Sequence, residues 1–321
     1  MSSYYLSPIA QGLGDLIVSL PALEGLISTG MPTYLVVRGA PQKGLARRIP
    51  GLAGSLDEVD FDPSNLSVSD RYLNMRDHKL QTQFIWGSKE FKNAYPDYCI
   101  GDVVEIISSD LGIAKSEKKR LVLDFKPVVE AENKVIFIAG SAGSMKCWPV
   151  EHFMQLASSL NQIGLECLVI GQKEKSEVVD KLCKNGVAHI ETPDLESAVD
   201  VISSALMVVG VDTGLSHIAV NQGINTVMLF RQNSIFKRRF KHLISLSAPV
   251  CLEECLIREM QGDYNSLLEF REPDQFNKPN YWQSWDCYQS DRAKRCMAQI
   301  SVESVFAATK ELIDREVKLI N

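Results

Sequence analysis

Short apolar runs, small-residue turns and amphipathic stretches alternate along the whole chain. Residues 4–9 form an apolar run, Gln11-Gly12-Leu13-Gly14-Asp15 a tight loop, and Leu16, Ile17, Leu20, Leu23 and Leu26 follow at helical spacing. That order predicts strand, glycine turn and helix. Pro21 predicts a kink or a restart in the helix, because proline removes a backbone donor. Residues 33–37 predict a second strand with Arg38 at its end, and mixed signals continue through 59–61, 72–75 and 101–111 until 121–125 closes this half. Residues 76–98 have no clear period and are read as loop with short helices.

A polar, proline-containing stretch at 126–133 marks a boundary, after which the alternation becomes more regular. A strand at 134–139 leads into a small-residue loop. Trp148-Pro149 then opens a helix whose apolar positions are Phe153, Leu156, Ala157, Leu160 and Ile163. Strands at 165–170 and 188–190 alternate with helices at 174–184 and 194–205, the last capped by Asp194. Residues 208–230, VVGVDTGLSHIAVNQGINTVMLF, then read as strand, polar turn, apolar helix and strand. Residues 261–286 carry aromatics without period and form a long excursion, and a final helix is capped by Ser301. Alternation of this kind in both halves predicts an α/β protein with two parallel sheets, each covered on both faces.

Composition narrows the function classes. The 321 residues suit two domains, and 45% hydrophobic with 23% charged content is that of a globular protein. A net charge of -6 argues against a dedicated nucleic-acid binder. The basic stretch FKRRFKH at 236–242 is read as a solvated face, with an anionic ligand or lipid surface as the alternative. No apolar run reaches the roughly 18 residues of a membrane span and the N-terminus lacks a signal-peptide pattern, so a cytoplasmic location is expected. Of the cysteines, Cys99, Cys147, Cys167 and Cys183 are scattered and suit small buried hydrophobes. Cys251, Cys255, Cys287 and Cys296 are weak candidates for a tetrahedral metal site, since their spacings are not those of common zinc motifs.

Three stretches could carry chemistry. At Gly12 to Asp15 the glycines allow close approach to the backbone, and Asp15 is on spacing alone a helix cap. A dinucleotide fingerprint competes, with Arg38 suited to a 2′-phosphate, but Ile17 stands where the third glycine is needed. The second, SAGSMKCWP at 141–149, has small residues and Lys146 but not P-loop spacing. In the third, Asp212, Ser216 and His217 suggest a hydrolase triad, yet Ile218 breaks the nucleophile elbow. A phosphate site at the turn, with Thr213 and Gly214 exposing N–H groups, is more economical.

Taken together, Gly14-Asp15 with Leu20-Pro21-Ala22-Leu23, Lys146-Cys147-Trp148-Pro149 and Val211-Asp212-Thr213-Gly214-Leu215-Ser216-His217 resemble the heptosyltransferases of glycosyltransferase family 9. Cys296-Met297 with Ile300 and Val305, and the pair Cys251 and Cys255, are similar to that family's C-terminal signatures. The resemblance implies a GT-B fold, two Rossmann-like domains with parallel sheets facing a central cleft. Residues 1–130 would bind the acceptor and 131–300 the nucleotide sugar, while a helix at 301–321 crosses back to the first domain.

It further implies an inverting, metal-independent transfer of a heptose or related sugar, with ADP-heptose as donor and a lipopolysaccharide core or other surface glycan as acceptor. Asp15 would be the base, with Gly12 and Gly14 shaping the acceptor loop. Ser141, Lys146, Thr213 and Gly214 would hold the diphosphate, Glu174 would reach the nucleotide, and Asp212 and His217 would shape the donor pocket. No cofactor is implied, and such an acceptor admits peripheral contact with the inner face of the inner membrane. Two alternatives remain: a catalytically inactive nucleotide-sugar-binding or assembly protein on the same scaffold, and an NADP-dependent oxidoreductase. The chain departs from the family at Phe230-Arg231-Gln232-Asn233, where Phe-Gly-Pro-Thr is usual, at Ala142, and in the 261–286 excursion.

Overall fold

The computed structural model describes residues 2–83, 89–116, 120–141, 146–231, 235–249 and 296–320. The first half builds β1 (Tyr4–Ser7), α1 (Leu13–Ile27), β2 (Thr33–Val37), α2 (Gly39–Ala46), β3 (Gly54–Asp57), β4 (Arg71–Asn74), α3 (Lys79–Thr82), α4 (Lys89–Ala94) and α5 (Ile100–Asp110). Its four strands are all parallel, in the order β3-β2-β1-β4. Pro21 does not stop α1, which runs through it for 15 residues. Leu16, Ile17, Leu20 and Leu23 lie fully inside the core, and their burial outweighs the one backbone bond that proline removes.

The second half contributes β5 (Val135–Ile138), α6 (Val150–Asn161), β6 (Cys167–Gly171), α7 (Glu177–Lys184), β7 (Ala188–Glu191), α8 (Leu195–Ser204), β8 (Met207–Val211), α9 (Gly214–Gln222), β9 (Asn225–Phe230), β10 (Leu243–Ser247) and α10 (Val302–Ile320). Its six parallel strands run β10-β9-β8-β5-β6-β7, the doubly wound order whose reversal lies between β5 and β8. In the first sheet the reversal lies between β1 and β4. Ligands of such sheets bind beyond the carboxyl ends of strands at these points.

Strand periodicity decides which residue serves which layer. Ile136, Ile138, Leu168, Ile170 and Val208 face α8 and α9 and share a core with the first half. Val135, Phe137, Val169 and Val209 face the other way, onto Phe153 and Leu156 of α6 and Val305 and Leu312 of α10. The packed face of α10 therefore lies on α6, β9 and β10 of the second half. The physical reason is local. Met297, Ile300 and Val302 are apolar enough to be buried beside α6, and the Trp148 indole donates to the Ile300 carbonyl at 2.9 Å.

The first sheet departs from expectation. One face gives Leu6, Leu35, Val37 and Leu73 to the core, whereas Tyr5, Tyr34 and Tyr72 lie partly exposed on the other beneath Phe61.

The halves meet along helices, α1 against α9 and α2 against α8. Arg48 pairs with Asp200 at 2.9 Å across this seam. Residues 121–125, expected to close the first half, form no regular element and lie at the seam, where the Gln222 side chain bonds Leu123 N and O at 2.8 and 2.9 Å. Asp124 N donates to Arg48 O at 2.7 Å, which ties the connection to α2 as well.

Candidate active site

Two strand-to-helix turns, from opposite halves, meet at the seam. After β1, Gly12 caps α1 and its N–H donates to Asp15 Oδ2 at 3.1 Å. A Cβ at Gly12 would stand 2.5 Å from that same oxygen, so glycine and the folded-back carboxylate require each other. After β8, Asp212 precedes Thr213, the N-cap of α9, whose hydroxyl makes no capping bond. The helix starts touch through their glycines. A Cβ on Gly14 would lie 3.3 Å from His217 Cδ2 and 3.9 Å from the Gly214 Cα, and one on Gly214 only 2.5 Å from Leu13 Cγ. Two positive helix ends thus converge on one place.

Charges complete the arrangement. Lys146, beyond β5, sets its ammonium 3.1 Å from Asp212 Oδ2 and over the Phe236 ring at 5.8 Å. His217 Nε2 lies 3.4 Å from Asp212 Oδ1, too poor a geometry to satisfy the ring, and both imidazole nitrogens are buried without a hydrogen-bond partner. Burial pushes the His217 imidazole below its usual pKa, with Asp212 opposing, so the ring is neutral at pH 7. Burial alone would raise Asp212, but contact with His217 and the Lys146 ammonium outweighs it and holds that carboxyl far below the usual range. Asp15 goes the other way. Burial pushes it up to about 6 against the opposing pull of the Gly12 N–H and Lys146, and the negative Asp212 adds to the rise.

Of the residues singled out from sequence, Gly12, Gly14, Asp15, Lys146, Asp212, Thr213, Gly214 and His217 come together here. Ser141 follows β5 at the same sheet end. Glu174 is exposed on a short turn after β6 and forms no ion pair with Lys146 among the described residues. The hydrolase triad does not form, because the buried Ser216 hydroxyl donates to Val211 O at 2.7 Å. Cys251, Cys255 and Cys287, Ala142 and the 261–286 excursion lie outside the described residues. Among the described residues no cluster of three metal-ligating side chains occurs, and no helix is long and apolar enough to cross a membrane.

Sequence reasoning missed several neighbours. Arg76, beyond β4, pulls on Asp15 electrostatically and pairs with Glu58 at 2.8 Å, while Arg38 reaches the other Glu58 oxygen at 3.8 Å. Position after a parallel strand was the available signal, but Arg76 lies in the stretch without period. The basic 236–242 stretch is solvated only in part, at Arg239 and Lys241. Arg238 is 7% exposed, donates to the His217 carbonyl at 2.9 Å, and lies over Phe240.

The geometry is that of a doubly wound pair whose switch points face each other, and comparison with known proteins gives it a name. Residues 101–249 match the family model of glycosyltransferase family 9 (heptosyltransferase). Over this segment the chain is similar to that family. The fold extends the likeness over nearly the whole chain. A glycosyl transferase family 9 protein from Veillonella parvula superposes with TM-score 0.66 at 14% identity, covering 98% of this chain and 97% of the other. The E. coli heptosyltransferase WaaC, solved with ADP-2-deoxy-2-fluoro heptose, gives TM-score 0.61 at 14% identity, covering 98% and 100%. The E. coli ADP-heptose lps heptosyltransferase II gives 0.60 at 14% identity, covering 98% and 99%. The expected GT-B architecture of two parallel-sheet α/β units is thus that of heptosyltransferases. No curated protein sequence matches the chain.

Proposed function

We propose that the chain is an inverting glycosyltransferase that moves a heptose or related sugar from a nucleotide-diphosphate donor, ADP-heptose first, to a hydroxyl of a surface glycan such as a lipopolysaccharide core. One observation carries the reading: a carboxylate with a pKa raised to about 6, Asp15, faces a lysine and a helix N-terminus supplied by the other half. A base poised near neutral pH and a cradle for a leaving diphosphate are the two parts a single displacement needs.

The acceptor hydroxyl oxygen attacks the anomeric carbon while its proton passes to Asp15. The bond from that carbon to the diphosphate breaks on the opposite side, which inverts the configuration. The nucleoside diphosphate leaves toward Lys146 and the N–H groups at the start of α9, in the manner of helix-terminus phosphate sites. Asp15 Oδ2 is held by the Gly12 N–H, which leaves Oδ1 to take the proton. The unsatisfied nitrogens of His217 and the charge of Asp212 shape the same pocket for the donor. The reaction needs no metal in this scheme, because Lys146 and the helix end supply the positive charge. Acceptors of this class place the enzyme at the inner face of the inner membrane, in peripheral contact.

The test separates binding from turnover. Asp15→Asn should keep the rise in melting temperature that ADP or ADP-heptose produces and lose transfer. Absence of any such rise in the wild-type protein would overturn the reading and favour an assembly role for the scaffold.

A further inference from the structure

A cavity lies between α1 and α5. Its volume is about 320 Å³, and α1, α5, the 113–116 segment and residues 238–240 enclose it. Val18, Pro21, Val104 and Ile113 form apolar walls. Two buried polar groups among its lining residues have unsatisfied atoms: Arg238, 7% exposed with Nε unpartnered, and Ser116, 8% exposed with its hydroxyl unpartnered.

Buried polar groups are normally satisfied, and a buried guanidinium without a carboxylate is costly. No ion pair joins Arg238 to a carboxylate among the described residues. The two rim cations are different: Arg239 is 3.5 Å from Asp102, and Lys115 is paired with Glu105. Among the described lining residues Arg238 is therefore the cation without a carboxylate partner, held in place by the His217 carbonyl at 2.9 Å and the Phe240 ring. Burial pulls its pKa down to about 9, which still leaves it charged at pH 7. A buried guanidinium that lines a cavity beside an apolar wall and has no carboxylate asks for a ligand with an anionic group at one end and hydrocarbon at the other.

We propose that this cavity binds a small anionic amphiphile, its carboxylate or phosphate on Arg238 and Ser116 and a short apolar tail along Val18, Val104 and Ile113. The size supports a short tail, since the volume is at the lower end of the roughly 300–1,000 Å³ of small-molecule sites. The site does not depend on the glycosyltransferase reading.

Cys99 lines the cavity and is a free thiol, so it reports occupancy directly. The full chain is treated with N-ethylmaleimide, alone and with octyl phosphate, octanoate, octanol or inorganic phosphate, and modification of Cys99 is followed by peptide mass spectrometry. Cys183, on α7 of the second half, serves as the internal control. Octyl phosphate or octanoate at ten times its dissociation constant should slow Cys99 labelling about tenfold and raise the melting temperature. Octanol and inorganic phosphate should do little at Cys99, and Cys183 should be unaffected. A stronger effect from one anion identifies the headgroup. Arg238→Met should abolish the protection, and Ser116→Leu, which fills the cavity and leaves the charge, should abolish it too if the first variant does not fold. Protection by neither anion, equal protection by octanol, the full effect from inorganic phosphate as an adventitious ion only, or protection that survives both substitutions would each overturn the proposal.

Discussion

The turn after β1 and the turn after β8 have the same construction and opposite electrostatics. Each follows a buried parallel strand, opens a helix through glycine and carries one aspartate. Asp15 is raised to about 6, because burial outweighs the opposing Gly12 N–H and Lys146 and the negative Asp212 adds to the rise. Asp212 is held far below the usual range, because it has a lysine at 3.1 Å and an imidazole at 3.4 Å. Two carboxylates in one site with pKa values pushed apart is the pattern in which one can trade protons near pH 7 and the other serves as fixed charge. The roles therefore follow from neighbours and not from the residue type or the local fold.

The sharpest way to break this contrast is to remove the proton trade. Asp15→Asn should lower kcat by about 10²–10⁴-fold, measured with nucleotide-sugar donor, without weakening ADP binding by calorimetry. A loss of binding in step with activity would make Asp15 structural. In the wild type, kcat/KM should fall as pH drops through about 6, since only the deprotonated carboxylate accepts a proton. A profile flat down to pH 5 would remove the contrast.

Next in size is the charge that holds Asp212 down. Lys146→Ala should weaken ADP binding by roughly 10- to 100-fold, the worth of a charge-assisted contact of about 1.5–3 kcal/mol. It should also raise the Asp212 pKa, which NMR titration of the carboxyl would follow. An unchanged affinity for ADP would detach this turn from the leaving group.

Smaller effects come from stability. Asp15 in the folded protein binds its proton more tightly than in the unfolded chain, so its stabilising contribution is complete below about pH 4 and is lost as pH rises through about 6. Asp15→Asn should therefore raise stability at pH 7 by about 1–3 kcal/mol, with the gain vanishing at pH 4 in urea melts. A destabilised variant at pH 7 would show that the capping bond to Gly12 outweighs the buried charge. Gly214→Ala brings a methyl 2.5 Å from Leu13 Cγ and should cost about 1–3 kcal/mol by overpacking the α1/α9 crossing. Gly14→Ala, with 3.3 Å to His217 Cδ2, should cost less, and a reversed order would mean that the two helix starts are not equally fixed.

Much of the frame was legible before the fold. Apolar runs such as 4–9 and 208–211 read as strands of parallel sheets, and the loops after them are where such sheets place ligands, so the two turns could be named from local pattern. Only the resemblance to family 9 assigned Asp15, Lys146 and Asp212 to one site, since on spacing alone Asp15 was a helix cap. Where local signals failed, the cause was a partner distant in sequence. Arg238 read as one of several solvated cations until its packing under α9 and beside α5 buried it. Residues 121–125 read as the end of a domain, although their partners are Gln222 and Arg48, on opposite sides of the seam.

What the sequence determined by itself is the alternation of strands and helices and the position of the two turns, because hydrophobic period and glycine chemistry act over a few residues. Tertiary structure alone decided that α10 stays with the second half, that Gly14 meets Gly214, and that one aspartate is raised while the other is lowered. Those outcomes depend on which distant groups share a few ångströms, and burial and Coulomb interaction act through that proximity, not through neighbours along the chain.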